Sequence, residues 1–289
     1  MDDVIAVTGS TGAVGNRVAV ALEAAGVRQR LVGRDPSRLP VLAGAEHAPA
    51  AQYRDTEAMR RALDGAEALF LVSGRESADR LAEHHSAVDA AVAAGVGRIV
   101  YLSFLGAAPD CTFTFGRDHW HTEQRIREHA ESRGLRFTFL RDSFYAAQLP
   151  ALVDGEGVIR GPAGDGRVSA VTHDDVADVA VSVLLDGHGA GRSTHDGETY
   201  DVTGPEAITL AEAAEQISAA TGRRVRYQPE TVEEAYASRA HYGAPEFEVA
   251  GWVTSYVAIS KGEVEAVSDT VPRLTGHPAQ SFAEYLRTR

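Results

Sequence analysis

Hydrophobic and polar positions follow two rhythms along the first half of the chain. Short β-branched or wholly apolar runs alternate with longer stretches whose apolar residues recur every third or fourth position. Residues 4–8 (Val-Ile-Ala-Val-Thr) predict a strand, and residues 13–25 a helix with Val14, Val18 and Leu22 on one face. Residues 28–33 and 46–48 read as further strands, the latter stopped by Pro49. Asp55 is placed to cap a helix over 56–63 that ends at Asp64-Gly65. Residues 68–72, Ala-Leu-Phe-Leu-Val, are apolar throughout, as a parallel strand covered on both faces requires. A helix over 77–94, a strand over 98–103, a helix over 117–133 and a strand over 136–140 complete the alternation. Strands separated by helices in this order demand right-handed crossovers, so the predicted fold class is α/β: a Rossmann-type, doubly wound parallel sheet.

The second half is less regular. Residues 155–166 hold five glycines and a proline and predict a hairpin or loop. Residues 168–171 read as a strand, and Thr172 with Asp175 as a variant capping box opening a helix over 176–185. A strand over 198–203 follows, then a helix over 209–221 with Thr209 and Glu212 at the box positions, and a short strand over 225–228. From 229 onward the chain is helical or loop-like and carries Tyr242, Trp252 and Tyr256. There is no internal repeat.

Between the first strand and the first helix lies Thr8-Gly9-Ser10-Thr11-Gly12-Ala13-Val14-Gly15. A helix start presents unpaired N–H groups and positive dipole charge, and glycine lets a diphosphate approach the backbone. The Gly-x-x-Gly-x-x-Gly spacing is one residue wider than the common Gly-x-Gly-x-x-Gly, but strand before and helix after are the context a dinucleotide turn needs. Gly9, Ser10, Thr11, Gly12, Ala13 and Val14 are the expected contacts. At the end of the second strand stands Gly33-Arg34-Asp35, with Arg38 one turn on. The guanidinium of Arg34 suits a 2′-phosphate and the carboxylate of Asp35 a free 2′-hydroxyl, so NADPH is favoured and NADH stays open. The expected division is an NAD(P)-binding domain over residues 1–148 and a smaller C-terminal substrate-binding region over 149–289, with 168–201 rejoining the main sheet.

Composition narrows the partners. With 289 residues the chain is long enough for a sizeable core, and a formal net charge of −13 argues against nucleic acid or an anionic membrane. Cys111 stands alone, so no intrachain disulfide forms and a reducing cytoplasm is expected. The start Met1-Asp2-Asp3 is acidic, with no basic-then-apolar leader. No histidine group has zinc spacing, and no Gly-x-Ser-x-Gly elbow is present.

Lys261 is the only lysine, which excludes the Tyr-x-x-x-Lys pair that short-chain carbonyl reductases use to donate a proton. Phe115 stands where that tyrosine would be and His119 where the lysine would be. Ser103, at the end of its strand, and His119 are left as candidate groups, Ser103 as a hydroxyl donor and His119 as a proton donor or hydrogen-bond anchor, or else as a surface or structural histidine. Phe104, Phe113, Phe115, Phe144 and Tyr145 are placed to form an apolar slot, although each is also readable as core packing.

These motifs, together with Leu71-Val72-Ser73-Gly74, Val100-Tyr101-Leu102-Ser103, His119-Trp120-His121-Thr122-Glu123, Leu140-Arg141, Val176-Ala177 and the terminal Leu274-Thr275-Gly276-His277-Pro278, carry a family resemblance. Nearly the whole chain resembles the NmrA-like, atypical short-chain dehydrogenase/reductases, and within them the NADPH-dependent quinone oxidoreductases. The resemblance implies cofactor contacts at Gln52, Val72, Ser73, Gly74 and Ser103, with Gln52 standing where that group tends to carry an acidic residue. Isoflavone-reductase-like members have a lysine where His119 stands, so their substrate chemistry is set apart. A quinone fits the missing Tyr/Lys pair, because its reduction yields a resonance-stabilised anion that needs no strong proton donor. The expected activity is hydride transfer to a quinone or other conjugated acceptor; the alternative is a non-catalytic NADP(H)-binding redox sensor. The expected partner is a small aromatic or quinone molecule; a homodimer is left open, and neither nucleic acid nor membrane is expected.

Overall fold

Ile5, Ala6 and Val7 are wholly buried in the first strand, β1 (Ile5–Thr8), as an interior parallel strand requires. In this computed structural model the described residues are 3–288; Met1 and Asp2, part of the acidic start read above, and Arg289 lie outside them. Helix α1 (Ala13–Ala24) buries Val14, Val18 and Leu22, the face that its spacing predicts. The chain continues through β2 (Gln29–Val32), a 3-10 turn at Pro36–Arg38, β3 (Ala45–His47) and α2 (Thr56–Leu63). Asp55 caps α2 by accepting the Ala58 N–H, as expected. Then come β4 (Ala68–Val72), α3 (Arg80–Ala93), β5 (Arg98–Phe104), α4 (Thr114–Arg133) and β6 (Arg136–Asp142). Helix α3 begins at Arg80 rather than 77, and α4 begins at Thr114 rather than 117. Strand β6 runs past Leu140 through Arg141 and Asp142, because tertiary neighbours hold two charged residues in the ladder.

The second half supplies α5 (Gln148–Ala151), β7 (Val158–Gly161), β8 (Arg167–Val168), α6 (His173–Leu185) and β9 (Thr199–Val202). It ends with β10 (Ile208–Thr209), α7 (Leu210–Thr221), β11 (Arg226–Pro229), α8 (Val232–Arg239), α9 (Glu246–Ser260), α10 (Thr270–Thr275) and α11 (Phe282–Arg287). The glycine-rich 155–166 stretch is not a hairpin. It contains β7, which pairs in parallel with the distant β11. Its glycines serve close packing: a Cβ on Gly161 would enter the Tyr256 ring, and one on Gly166 the Ile259 carbonyl. The strand expected over 168–171 shrinks to β8, antiparallel to β10, because the Ser169 N–H turns to the Val264 carbonyl and Val171 bridges to Tyr145. Helix α6 starts at His173 directly after its cap Thr172, three residues before its expected start at Val176. The Thr209–Glu212 capping box of α7 forms as expected.

Seven parallel strands make the main sheet in the order β3-β2-β1-β4-β5-β6-β9. On one face α1 and α6 bury Val18, Leu22, Val179 and Val183; on the other α2, α3 and α4 bury Met59, Leu63, Val88 and Ile126. A third apolar cluster, with Phe104, Ile159, Ile217, Tyr256 and Phe282, joins the second half to the end of β5. The strand order reverses between β1 and β4, and at such a switch point two loops diverge and leave a crevice at the carboxyl ends of the strands. No helix among the described residues is long and apolar enough to cross a membrane.

Candidate active site

The turn after β1 is built for close approach. Gly9 takes φ +66°, a left-handed conformation that L side chains rarely adopt, and a Cβ there would lie 2.9 Å from the Val72 Cβ. A Cβ on Gly15 would collide with the Gly9 carbonyl, so the start of α1 can only sit this close to the turn without a side chain. Gly12, the N-cap of α1, offers no side-chain cap, and the first turn holds no acidic residue. The helix therefore opens on backbone N–H groups and positive dipole charge that no side chain of its own neutralises. Ser10 is buried, and its Oγ is without a hydrogen-bond partner among the described residues. A donor cluster of this kind, with a crowded glycine cradle and an orphaned hydroxyl, fits a dinucleotide diphosphate. Thr11, Gly12 and Ala13 are exposed at the turn, whereas the Val14 side chain belongs to the core and only its amide faces the helix start.

Beside this turn, Arg34 and Arg38 are exposed, and their side chains make no hydrogen bond or ion pair among the described residues. Asp35 is engaged locally: its Oδ1 accepts from the Ser37 N–H at 3.0 Å and the Ser37 hydroxyl at 2.6 Å, which lowers its pKa. The carboxylate that would hold a free ribose hydroxyl is thus caught in a cap, while the two guanidinium groups remain available to a phosphate. Gln52 is exposed, with its carbonyl accepting the Asp55 N–H.

Val72, Ser73 and Gly74 form the half-buried lip of β4. The lip is fixed by residues that the motifs did not reveal. The Tyr53 hydroxyl lies 2.5 Å from the Val72 carbonyl and 2.7 Å from the Thr8 hydroxyl, and that hydroxyl accepts the Val72 N–H. The Gly74 N–H donates to His84 Nε2 at 2.7 Å, and its carbonyl accepts from Arg80 Nε at 3.1 Å. No group of three or more histidine, cysteine or carboxylate side chains placed to hold a metal ion occurs among the described residues.

His119 and Ser103, the two candidate donors, both turn out to be committed to the protein. His119 is buried, with Nε2 3.0 Å from an Arg80 guanidinium nitrogen and Nδ1 2.9 Å from the Tyr101 hydroxyl. Guanidinium nitrogens only donate, so Nε2 accepts and the single ring proton sits on Nδ1, pointing at Tyr101. Burial and the Arg80 charge push the imidazole well below its ordinary 6.5, so it is neutral at physiological pH. With both ring nitrogens committed to Arg80 and Tyr101, the proton-donor reading of His119 gives way to that of a hydrogen-bond anchor. Ser103 donates its proton to Glu123 Oε1 at 2.6 Å, and the fully buried Glu123 is held by a two-pronged ion pair with Arg141 at 2.8 and 2.6 Å. As a hydroxyl donor to substrate Ser103 is likewise corrected; its lone pairs alone remain.

Four of the five expected aromatic residues do come together. Phe104 packs against Phe113 at 5.0 Å and Phe144 at 4.9 Å between ring centroids, and Phe113 lies 5.7 Å from Phe115. Phe104 and Phe115 are buried and form a floor, whereas Phe113 and Phe144, packed against the third cluster, are half-buried. Phe115 is sealed from above by α9, where a Cβ on Gly251 would strike its ring. Tyr145 stands apart, 4.2 Å from the His173 ring.

A parallel α/β sheet with an uncapped glycine turn at its switch point and an aromatic floor beyond it defines a dinucleotide-binding protein of the Rossmann class. The chain belongs to the NmrA-like family, which it matches over residues 1–257. It is 31% identical over 287 residues to the NAD(P)H azoreductase of Xenophilus azovorans, covering 98% of this chain and 96% of that protein. An NADPH-dependent quinone oxidoreductase of Escherichia coli, solved in complex with NADPH, superposes with a TM-score of 0.85 at 31% identity, covering 98% of this chain and 99% of that one. A solved structure of the negative transcriptional regulator NmrA superposes with a TM-score of 0.76 at 16% identity, covering 99% of this chain and 95% of that one, and shares the fold alone.

Proposed function

We propose that this protein is an NADPH-dependent oxidoreductase acting on a quinone or another flat conjugated acceptor. The observation that carries the reading is the uncapped, side-chain-free start of α1 at the switch point, with the unpaired Arg34 and Arg38 beside it. The amides of Ala13 and Val14 and the Ser10 hydroxyl would hold the diphosphate, the Gly12 N–H being given to the Gly9 carbonyl, and Arg34 with Arg38 would hold the 2′-phosphate. Val72, Ser73 and Gly74, fixed by Tyr53, Arg80 and His84, would shape the wall beyond. When bound, the nicotinamide supplies the hydride. Phe113 and Phe144, backed by Phe104, offer faces against which a planar ring stacks. In this reading residues 1–148 carry the dinucleotide and the aromatic face, and residues 149–289 pack against that face to complete the substrate side. The acidic charge and single cysteine support a cytoplasmic protein working apart from nucleic acid and membrane surfaces, with homodimerisation open to it.

The test is direct. Purified protein is mixed with NADPH and a panel of quinones and azo dyes, and loss of the reduced-cofactor absorbance is followed. Acceptor-dependent oxidation is the expected result. Tight NADPH binding with no oxidation by any acceptor would overturn the enzyme in favour of a sensor.

A further inference from the structure

In the reductase reading the acceptor lies between two walls: the β4 lip on the dinucleotide side, and the aromatic residues carried by the start of α4. One side chain grips both. Arg80, the first residue of α3, donates from Nε to the Gly74 carbonyl at 3.1 Å. One of its terminal nitrogens donates to the Phe115 carbonyl at 3.4 Å and to Asp118 at 3.3 Å. The other donates to His119 Nε2 at 3.0 Å, and the guanidinium carbon lies 5.5 Å from the centre of the Phe115 ring. Every nitrogen of the group is engaged, and the side chain is 5% exposed. His84, one turn further along the same face of α3, accepts the Gly74 N–H, so both polar groups of Gly74 are held from one helix.

The grip fixes more than Gly74. A trans peptide sets the Ser73 carbonyl opposite to the Gly74 N–H, so it points away from α3, where no hydrogen bond among the described residues claims it. The lip has little room to shift, since a Cβ on Gly74 would already lie 3.2 Å from His84 Nε2 and 3.4 Å from the Tyr53 ring. On the other wall, Phe115 and Asp118 belong to the opening of α4, whose N-cap is Phe113. The Phe113 ring packs 5.0 Å from Phe104 and 5.6 Å from Phe144, so a shift of that turn moves the stacking face with it. The clamp is in turn braced on the sheet. His119 Nδ1 gives its proton to the Tyr101 hydroxyl, and Tyr101 of β5 stands in register with Leu71 of β4. Burial and the Arg80 charge hold the His84 and His119 imidazoles well below 6.5, so each keeps Nε2 free to accept.

From this geometry we propose that Arg80 is a positioning residue for hydride transfer: it holds the β4 lip and the first turn of α4 at a set separation, touching neither cofactor nor acceptor itself. A planar guanidinium can reach four groups in different directions, whereas the single nitrogen of an ammonium cannot span both walls. The separation matters most to the rate, because a misplacement of about 1 Å between reacting groups costs about 100-fold.

Arg80's role rests on the reductase reading, and one experiment tells the two apart. Protein loaded with one equivalent of NADPH is mixed with a saturating quinone or azo dye that the wild type reduces, and the loss of reduced-cofactor absorbance is followed through a single turnover. Rates are divided by the NADPH-binding sites counted by calorimetry, so unfolded protein is not scored. Arg80→Lys keeps the charge and loses the span. It is expected to slow transfer about 30-fold per site, with NADPH affinity within about fivefold of the wild type. A role in stability alone predicts fewer sites, each transferring at the wild-type rate, and that result would overturn the proposal. Should Arg80→Lys yield no binding sites, Tyr101→Phe tests the clamp from its far end, removing the brace of His119 while Arg80 stays in place. Transfer about fivefold slower per site is expected there, and an unchanged rate would overturn the proposal while the reductase stands. A wild type that binds NADPH but reduces no acceptor would overturn the reductase and the clamp together.

Discussion

Two polar regions lie along the same edge of the sheet and are finished in opposite ways. At the start of α1 the donors are exposed or orphaned: an uncapped helix, the Ser10 hydroxyl, and two unpaired arginines nearby. Beneath the aromatic floor Arg80, His84, His119 and Glu123 are each answered by other groups of the protein. Arg80 bonds the Gly74 and Phe115 carbonyls, Asp118 and His119; His84 bonds the Gly74 N–H and Thr122; Glu123 bonds Ser103 and Arg141. A buried polar group without a partner costs free energy unless a ligand answers it, whereas a satisfied network gains nothing from one. The first region thus has donors to offer a ligand, and the second spends its own on holding shape. His119, the residue whose chemistry stands out most, belongs to the second.

The sharpest way to break this contrast is Gly15→Ala. The added Cβ meets backbone, which cannot swing aside, so NADPH affinity measured by calorimetry is expected to fall by at least about 100-fold, near 3 kcal/mol. Wild-type affinity in that variant would remove the turn from the site. Arg80→Met should act on shape first: it strands Asp118 and His119 Nε2, so the apoprotein is expected to lose about 3 kcal/mol and melt about 6 to 10 °C lower. Its NADPH affinity should drop less than that of Gly15→Ala, through a loosened Gly74. Arg34→Ala should weaken NADPH roughly tenfold and leave NADH untouched, because an exposed arginine contributes modestly and only to the 2′-phosphate. Equal loss for both nucleotides would assign Arg34 to the diphosphate instead.

The smallest effect is expected at His119. Burial and Arg80 hold its pKa well below 6.5, so the pH profile of the wild type should show no limb near that value. His119→Gln, which can still bridge Arg80 and Tyr101, should keep kcat within about threefold, where a true donor would lose about 100-fold or more. A larger loss would move His119 into the chemistry and blur the contrast between the two regions.

The binding half of the site was legible in the amino-acid order because its logic is local. Strand, glycine turn and helix are consecutive, Val14, Val18 and Leu22 declare their face by spacing, and Arg34 follows its strand directly. The alternation of strands and helices likewise carried the parallel sheet. The holding half was illegible because its partners are far apart in the chain: Arg80 and His119 are 39 residues from each other on different helices, and Ser103 and Glu123 are 20 apart. Nor could glycine content tell packing from turning at Gly161 and Gly166, since the α9 atoms they approach lie in another element.

Sequence by itself determined where a diphosphate can approach, because sterics and hydrogen-bond supply at a helix start depend on neighbouring residues. Only the tertiary structure decided which side chains keep a proton to give. Ionisation and hydrogen bonding answer to burial and to through-space partners, and these turned His119 into a neutral brace and raised the buried Asp142 carboxyl to about 8.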